Sequence, residues 1–283
     1  MWRYYNHAFL PKCCPHEDVD TAAIKDGSVW RQKKGAYLAR WTSDFDCGYE
    51  TEWWYVIKDV SFDLETLKSK RRYEINKGQK FFEVRPIAPQ QYANALYNVQ
   101  VAAFSAYPEK YRPTVDKGKF IESVCKNWCE QNICIYGAFY RDTNELCGYA
   151  YLDKKGICLE FNVLKTNPEF EKYAVNAALV YQILQDYASD LQNKKLYICD
   201  GERSILHETK FQDYLEKYFQ FRKAYCKLNV VYNPKIKWFI KIAYPFRKLL
   251  LKFDGINIVH QLNGVLKMEE IVRKQKNGAN SSK

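Results

Sequence analysis

The chain has 283 residues, long enough for a full hydrophobic core, and its 47% hydrophobic and 16% aromatic content exclude a disordered polymer. The net charge of +11 is concentrated at one end: residues 234–283 carry 11 Lys or Arg against 3 Asp or Glu, a net +8, and the rest is nearly balanced at +3. A basic tail on a balanced body points to an anionic surface met by the tail, and gives little reason to expect nucleic acid along the body. Met1–His7 lacks the apolar core of a signal peptide, and no run approaches the roughly 20 apolar residues of a membrane span. A cytoplasmic protein with reduced thiols is the expectation for its ten cysteines. Cys125, Cys129 and Cys134 lack a Cys-x-x-Cys spacing or a partner histidine, so no metal is expected.

In chain order, the first sixty residues read as irregular structure with two strands, 35–41 and 52–57, separated by the turn-rich 44–48. His16, Glu17, Asp18 and Asp20 gather there in what reads as a solvated loop. Residues 62–78 follow helical spacing at Leu64, Leu67, Arg71 and Ile75, with Gly78 as the expected C-cap. Lys68, Lys70, Arg71, Arg72 and Lys77 make this helix strongly cationic, a candidate anion contact. A short strand, 81–87, is limited by Pro86. Helices are predicted over 90–107 and 117–130, then a three-stranded antiparallel meander over 133–140, 146–152 and 157–164. The chain continues through a polar loop to a helix over 173–190, a strand over 195–200, another helix, and a strand over 222–228. A strand that enters a helix through a polar loop leaves free backbone N–H groups at the helix start, where a phosphate can sit.

This order of elements resembles the GNAT acyltransferase fold. Leu67-Lys-Ser-Lys-Arg-Arg-Tyr-Glu-Ile-Asn-Lys-Gly78 is similar to the basic helix that opens the acetyltransferase-like domain of FemAB-type proteins. Tyr214-Leu-Glu-Lys-Tyr-Phe-Gln-Phe-Arg-Lys-Ala-Tyr225 resembles the GNAT helix, Gly-Phe-Arg-Lys, strand ending, with Gln220 in place of the glycine. The resemblance spans about residues 62–230. It implies an α+β fold, with a GNAT-type mixed, mainly antiparallel sheet flanked by helices. It also implies a reduced N-terminal lobe over 1–61, the acyltransferase domain over 62–232, and a basic helical tail over 233–283.

In that family acyl-CoA lies in a wedge between the fourth and fifth strands, here 157–164 and 195–200. The resemblance therefore implies acyl-CoA, acetyl-CoA first among the candidates, as co-substrate held by Asn162, Val163, Leu164, Lys165, Lys172, Tyr173 and Asn176. The family's Arg/Gln-x-x-Gly-x-Gly/Ala loop is absent, and Thr166-Asn-Pro-Glu-Phe-Glu-Lys-Tyr-Ala174 stands in its place. Amine acylation needs a base, an oxyanion partner and an acid for the leaving group. Asp200, His207, Glu160 and Tyr225 are the catalytic candidates, with Tyr214 a second tyrosine, and Lys68, Lys70, Arg71 and Arg203 are the substrate-binding candidates.

The tail stretch 234–253 has Lys237, Lys241, Lys248 and Lys252 on one side of a helix and an apolar stripe on the other, interrupted at Pro245. It reads either as a helix lying on the inner face of an anionic membrane or as a cover over the protein's own core. The functional expectation is a membrane-associated N-acyltransferase for an amine-bearing small molecule, an amino sugar or a lipid-linked cell-surface glycan precursor. The alternatives are transfer from charged tRNA, in which the tRNA is the one nucleic-acid partner, and a non-catalytic module on the same fold.

Overall fold

The computed structural model describes residues 1–109, 112–205 and 210–281. The chain begins with β1 (Trp2–Tyr5), β2 (Ala8–Pro11), α1 (Ala22–Lys25), α2 (Val29–Gln32), β3 (Leu38–Ser43) and β4 (Trp54–Lys58). Next come α3 (Ser69–Phe81), β5 (Phe82–Pro86), α4 (Ala93–Ser105) and α5 (Lys117–Lys126). The meander is β6 (Ile133–Tyr140), β7 (Glu145–Lys155) and β8 (Cys158–Thr166), followed by α6 (Val175–Asp186), α7 (Ala188–Gln192) and β9 (Tyr197–Glu202). The remainder is α8 (Lys210–Phe219), β10 (Arg222–Tyr225), β11 (Lys227–Tyr232), α9 (Pro234–Ala243), α10 (Arg247–Leu250) and α11 (Asn257–Ser281).

By contacts the chain divides into two interleaved units. One holds residues 1–56, 202–210 and 223–283, and the other holds 57–201 and 211–222. The sequence boundaries at 61/62 and 232/233 cut the chain in order, whereas these units exchange segments along it.

The second unit carries most of a seven-stranded sheet of order β10-β4-β9-β8-β7-β6-β5. β5 to β8 run antiparallel in sequence, and β8 and β9 are parallel, joined through α6. This is the mixed, mainly antiparallel sheet flanked by helices that a GNAT-type fold calls for. On one face α4 and α5 bury Leu96, Val99 and Val124 against Ile135, Phe139, Leu146 and Tyr149. On the other lies α6, whose Val175, Ala177, Ala178, Leu179, Val180, Ile183 and Leu184 are all buried, the composition of a helix covered nearly all round. Gly148 faces it so closely that a Cβ there would meet Thr166, Leu179 and Val175.

Gly78 is not a cap. It lies inside α3 because α3 crosses the start of α6, where a Cβ would sit 2.7 Å from the Ala174 carbonyl oxygen and 2.9 Å from the Ala178 nitrogen. The helix predicted over 173–190 is two, α6 and α7, divided at Tyr187, and Pro168–Tyr173 forms a 3-10 turn before it. The strand predicted over 222–228 is also two, β10 and β11, in different sheets. Cys226 lies between them, buried, its backbone N–H donating to the Trp53 carbonyl.

The first unit holds the four-stranded sheet β1-β2-β3-β11. Trp2, Phe9, Ile24, Val29 and Ala39 form one core, and α11 contributes Ile271 and Val272 to another with Trp53, Cys226 and Leu228. In the acidic loop, Glu17 accepts the Cys14 N–H and Asp20 accepts the Ala22 N–H. All ten cysteines are free thiols.

Candidate functional site: a cleft where two parallel strands part

β8 and β9 pair over three positions, Cys158 with Tyr197, Leu159 with Ile198 and Glu160 with Cys199. Beyond Glu160 the register with β9 ends, while β7 continues to pair β8 as far as Thr166. One edge of β8 is thereby left open. Leu152 faces Phe161 and Tyr151 faces Val163, so Asn162 is an extra residue in β8, a bulge at the point where the strands separate.

The opening is a cleft of about 500 Å³ within the second unit. It is lined by β8 from Phe161 to Thr166, by Ala103 of α4 with Ala106 and Tyr107 just after it, and by Asp200 and Phe211. Pro168, Glu171 and Asn176 bring the loop and the start of α6 to its margin. Gly201, in β9 immediately after Asp200, holds φ +91°, a conformation that glycine adopts without a Cβ clash.

Asp200 is the cleft's titratable group with a resolved shift. Burial raises its carboxyl from the ordinary value to about 7, and a hydrogen bond from the Gln212 side chain opposes the rise. Gln212 Nε2 also donates to the Asp200 main-chain oxygen at 3.3 Å. A carboxyl that titrates near neutral pH can take a proton from an incoming amine and return it. The cation of Lys165 lies 4.9 Å from the Phe104 ring centroid and donates to the Tyr107 hydroxyl at 3.2 Å, so its charge is already partly engaged. The Thr166 hydroxyl donates to Asn176 Oδ1 at 3.2 Å and ties the end of β8 to α6. At the α6 start Ala174, Val175 and Ala177 are buried, and Asn176 is the residue there that reaches the cleft.

Of the sequence candidates, the cleft gathers Asp200, Asn162, Val163, Leu164, Lys165 and Asn176. Glu160 does not line it: its carboxylate is held 2.5 Å from the Lys155 ammonium, which also meets Asp153 at 3.1 Å. Lys172 lies over the Tyr173 ring, and that ring packs on Phe81 and Tyr140. Lys68 and Lys70 are exposed near the start of α3, with Arg71 half-buried. Tyr214 packs against Tyr218 and Phe219, and burial raises its hydroxyl pKa.

In the first unit, Tyr225 packs edge-on against Trp54. Arg203 lies over the same indole and donates to the Glu52 carbonyl at 2.6 Å, which makes it a brace for β4. His207 lies outside the described residues. Tyr107, Phe161 and Phe211 line the cleft without having been sequence candidates, and Glu171 lines it as well. Glu171 stands in the loop that replaces the expected glycines, and Phe161 lies in the predicted strand 157–164; Tyr107 and Phe211 reach the cleft through tertiary packing alone.

No protein-family model matches the chain, and no curated protein matches its sequence. Among solved structures it is similar to L-PGS from Bacillus licheniformis, at 12% identity over 82% of this chain and 79% of that one, with a TM-score of 0.49. A structure of FemX aligns at 8% identity over 72% and 74%, TM-score 0.49. The C-terminal domain of a putative lysylphosphatidylglycerol synthetase from Agrobacterium fabrum aligns at 10% identity over 81% and 79%, TM-score 0.48. At these values the fold rests on this chain's own strand order and register.

Proposed function

We propose that this protein is an N-acyltransferase that moves an acyl group from acyl-CoA, acetyl-CoA foremost, to an amine acceptor. The acceptor class is an amino sugar or a lipid-linked cell-surface glycan precursor, met on the cytoplasmic side of the membrane. The parting of β8 from β9 after Glu160 and Cys199, with Asp200 lining the cleft that opens there, carries the reading. An open strand edge presents main-chain N–H and C=O groups to which an extended, amide-bearing donor arm can add as a strand does. Asn162 to Lys165 would hold that arm, and the Asn162 bulge would aim it. The acceptor nitrogen attacks the acyl carbonyl carbon, the new C–N bond forms and the C–S bond breaks. Asp200 takes the ammonium proton from the nitrogen, and the thiolate leaves to be protonated as the thiol. Main-chain N–H groups of the β8 edge would meet the oxyanion.

One observation favours a second donor. Glu171 lines the cleft where a pyrophosphate would approach, and the loop lacks the glycines that let backbone close on a phosphate. A carboxylate there repels a pyrophosphate but attracts the α-ammonium of an aminoacyl ester, the donor carried by charged tRNA. The test is a melting curve of the whole protein with acetyl-CoA, longer acyl-CoAs and free CoA. A ligand at 100 times its Kd stabilises by about 2.7 kcal/mol. A rise with CoA species supports the first donor. A cooperative melt that none of them moves would sink it and leave the aminoacyl ester to be tried.

A further inference from the structure

The basic tail has two apolar faces, and they do different things. From Pro234 to Phe253 the chain is a succession of helical turns, passing from α9 through the 3-10 turn Tyr244–Phe246 into α10 and the turn Leu251–Phe253, with Phe246 at φ −90°, ψ 4° marking the step into α10. Ile240 and Ala243 turn inward and pack with Leu266, Leu250 and Leu262. This face covers the protein's own core. The neighbouring face turns outward: Trp238 is 73% exposed, Phe246 57%, and Phe239, Ile242, Leu249 and Phe253 are exposed with them. Six large apolar side chains on one exposed stretch exceed the scattered singles of an ordinary surface.

The third face is cationic. Lys237, Lys241, Lys248 and Lys252 recur at helical spacing beside the apolar row. Among the described residues none of them makes an ion pair, and neither does Lys235. Arg247, by contrast, is turned inward to Glu270 at 3.8 Å and lies over the Tyr244 ring. The acid that follows the stretch, Asp254, is engaged with His260 and Asn263.

We propose that this surface docks on an anionic lipid bilayer, lying in the interface with the Trp238–Phe253 row among the acyl chains and the lysine row at the headgroups. The inference does not depend on the acyl-transfer reading. Charge decides the occupant. A two-fold pairing of this patch with a second copy would set lysine rows against each other with no acid to answer them. A bilayer supplies an apolar interior for one row and phosphate for the other, and indole rings such as that of Trp238 favour the boundary between them. No helix among the described residues is long and apolar enough to cross a membrane, so the contact is one of lying on the surface.

The experiment is co-sedimentation of the full chain with vesicles of phosphatidylglycerol and phosphatidylcholine, and with phosphatidylcholine alone. Wild type should pellet with the anionic vesicles and be released by high salt. Phe246→Ser with Leu249→Ser, and separately Lys237→Glu with Lys241→Glu, should each weaken binding by about tenfold or more while the melting temperature stays put. All four positions are exposed, so the fold survives the changes. Equal binding to neutral vesicles, no binding to anionic ones, or variants that bind like wild type would each overturn the proposal. So would a solution dimer that the Phe246→Ser, Leu249→Ser variant dissociates, which would make a second copy the occupant.

Discussion

Asp200→Asn should remove activity and stabilise the fold, and the two effects should share one pH dependence. The carboxyl titrates at about 7 in the folded protein because burial penalises its charge. In the unfolded chain an aspartate titrates at about 3.9. A raised folded value means that the folded state holds the proton longer, so stability is greatest below about pH 4, falls as pH rises towards about 7, and is level beyond. A gap of about three units corresponds to an upper limit of about 4 kcal/mol, and partial solvent access at the cleft reduces this to about 2–3 kcal/mol. The amide of the variant does not titrate, so its advantage should be near zero at pH 4 and reach about 2–3 kcal/mol at pH 8. Urea unfolding of both proteins at pH 4.5, 6 and 8 reads this directly. In turnover, kcat/KM of the wild type should rise through about pH 7 as the base ionises, and the variant should lose that limb. A stability difference that stays constant with pH would refute the argument, because it would mean that the carboxyl is not desolvated.

Lys58 predicts the opposite slope. It is 1% exposed, donates to the Gln220 carbonyl at 3.4 Å, and burial lowers its ammonium to about 8. Its cost is present below about pH 8 and fades towards the unfolded value of about 10.4, so Lys58→Met should gain about 1–3 kcal/mol at pH 7 and nothing above pH 10, by urea unfolding. Gly78→Ala reverses the usual helix rule: alanine normally gains about 0.5–1 kcal/mol in a helix interior. Here its Cβ meets backbone at 2.7 and 2.9 Å, and a loss of about 1–3 kcal/mol is expected; a melting temperature at or above wild type would contradict the packing. Lys68→Glu with Lys70→Glu should leave stability within about 0.5 kcal/mol while raising KM for an anionic acceptor. An unchanged KM would make that end of α3 a plain solvated surface. Deleting residues 234–283 removes Ile240, Leu266, Ile271 and Val272 from the cores. At about 1.5–3 kcal/mol for each large side chain the loss rivals a domain's whole stability, so the truncated protein should aggregate. A soluble, cooperatively melting truncation would show that the tail is dispensable to the fold.

The meander was legible because β6, β7 and β8 are apolar runs separated by hairpin-length turns, and local chemistry settles such elements. The crossing of α3 over α6 was not, since a glycine that admits a neighbouring backbone looks the same in sequence as one that ends a helix. Gly78 shows the difference: its meaning lies in Ala174 and Ala178, far along the chain. The break at Cys226 was hidden for a related reason. A strand that changes sheets keeps its alternation on both sides of the change, and only the Trp53 carbonyl that receives the Cys226 N–H marks the turn. Within the cleft, β8 and Asp200 could be found because a strand-to-helix passage has a recognisable order. Tyr107 and Phe211 could not, because nothing local to either residue records which cavity it reaches.

The electrostatics of the cleft bear on how one fold could exchange donors. Lys165 is the cation that lines it, and two aromatic rings and the Tyr107 hydroxyl already hold its ammonium. Lys172, the other lysine expected there, is spent over Tyr173. The loop margin instead offers Glu171, and the α6 start offers buried alanine and valine backbone around a single Asn176. A site that must hold a pyrophosphate concentrates glycine N–H groups and unpaired cations at that margin, whereas this one places a carboxylate there. The open β8 edge, by contrast, asks only for main-chain partners and is indifferent to the charge of what lies beyond them. On the reading proposed above, donor choice would be decided at the 166–174 loop, and Glu171→Gln is the change that isolates it. If a CoA species shifts the melting curve, the variant should bind it more tightly; if an aminoacyl ester is the donor, the same variant should bind that donor more weakly.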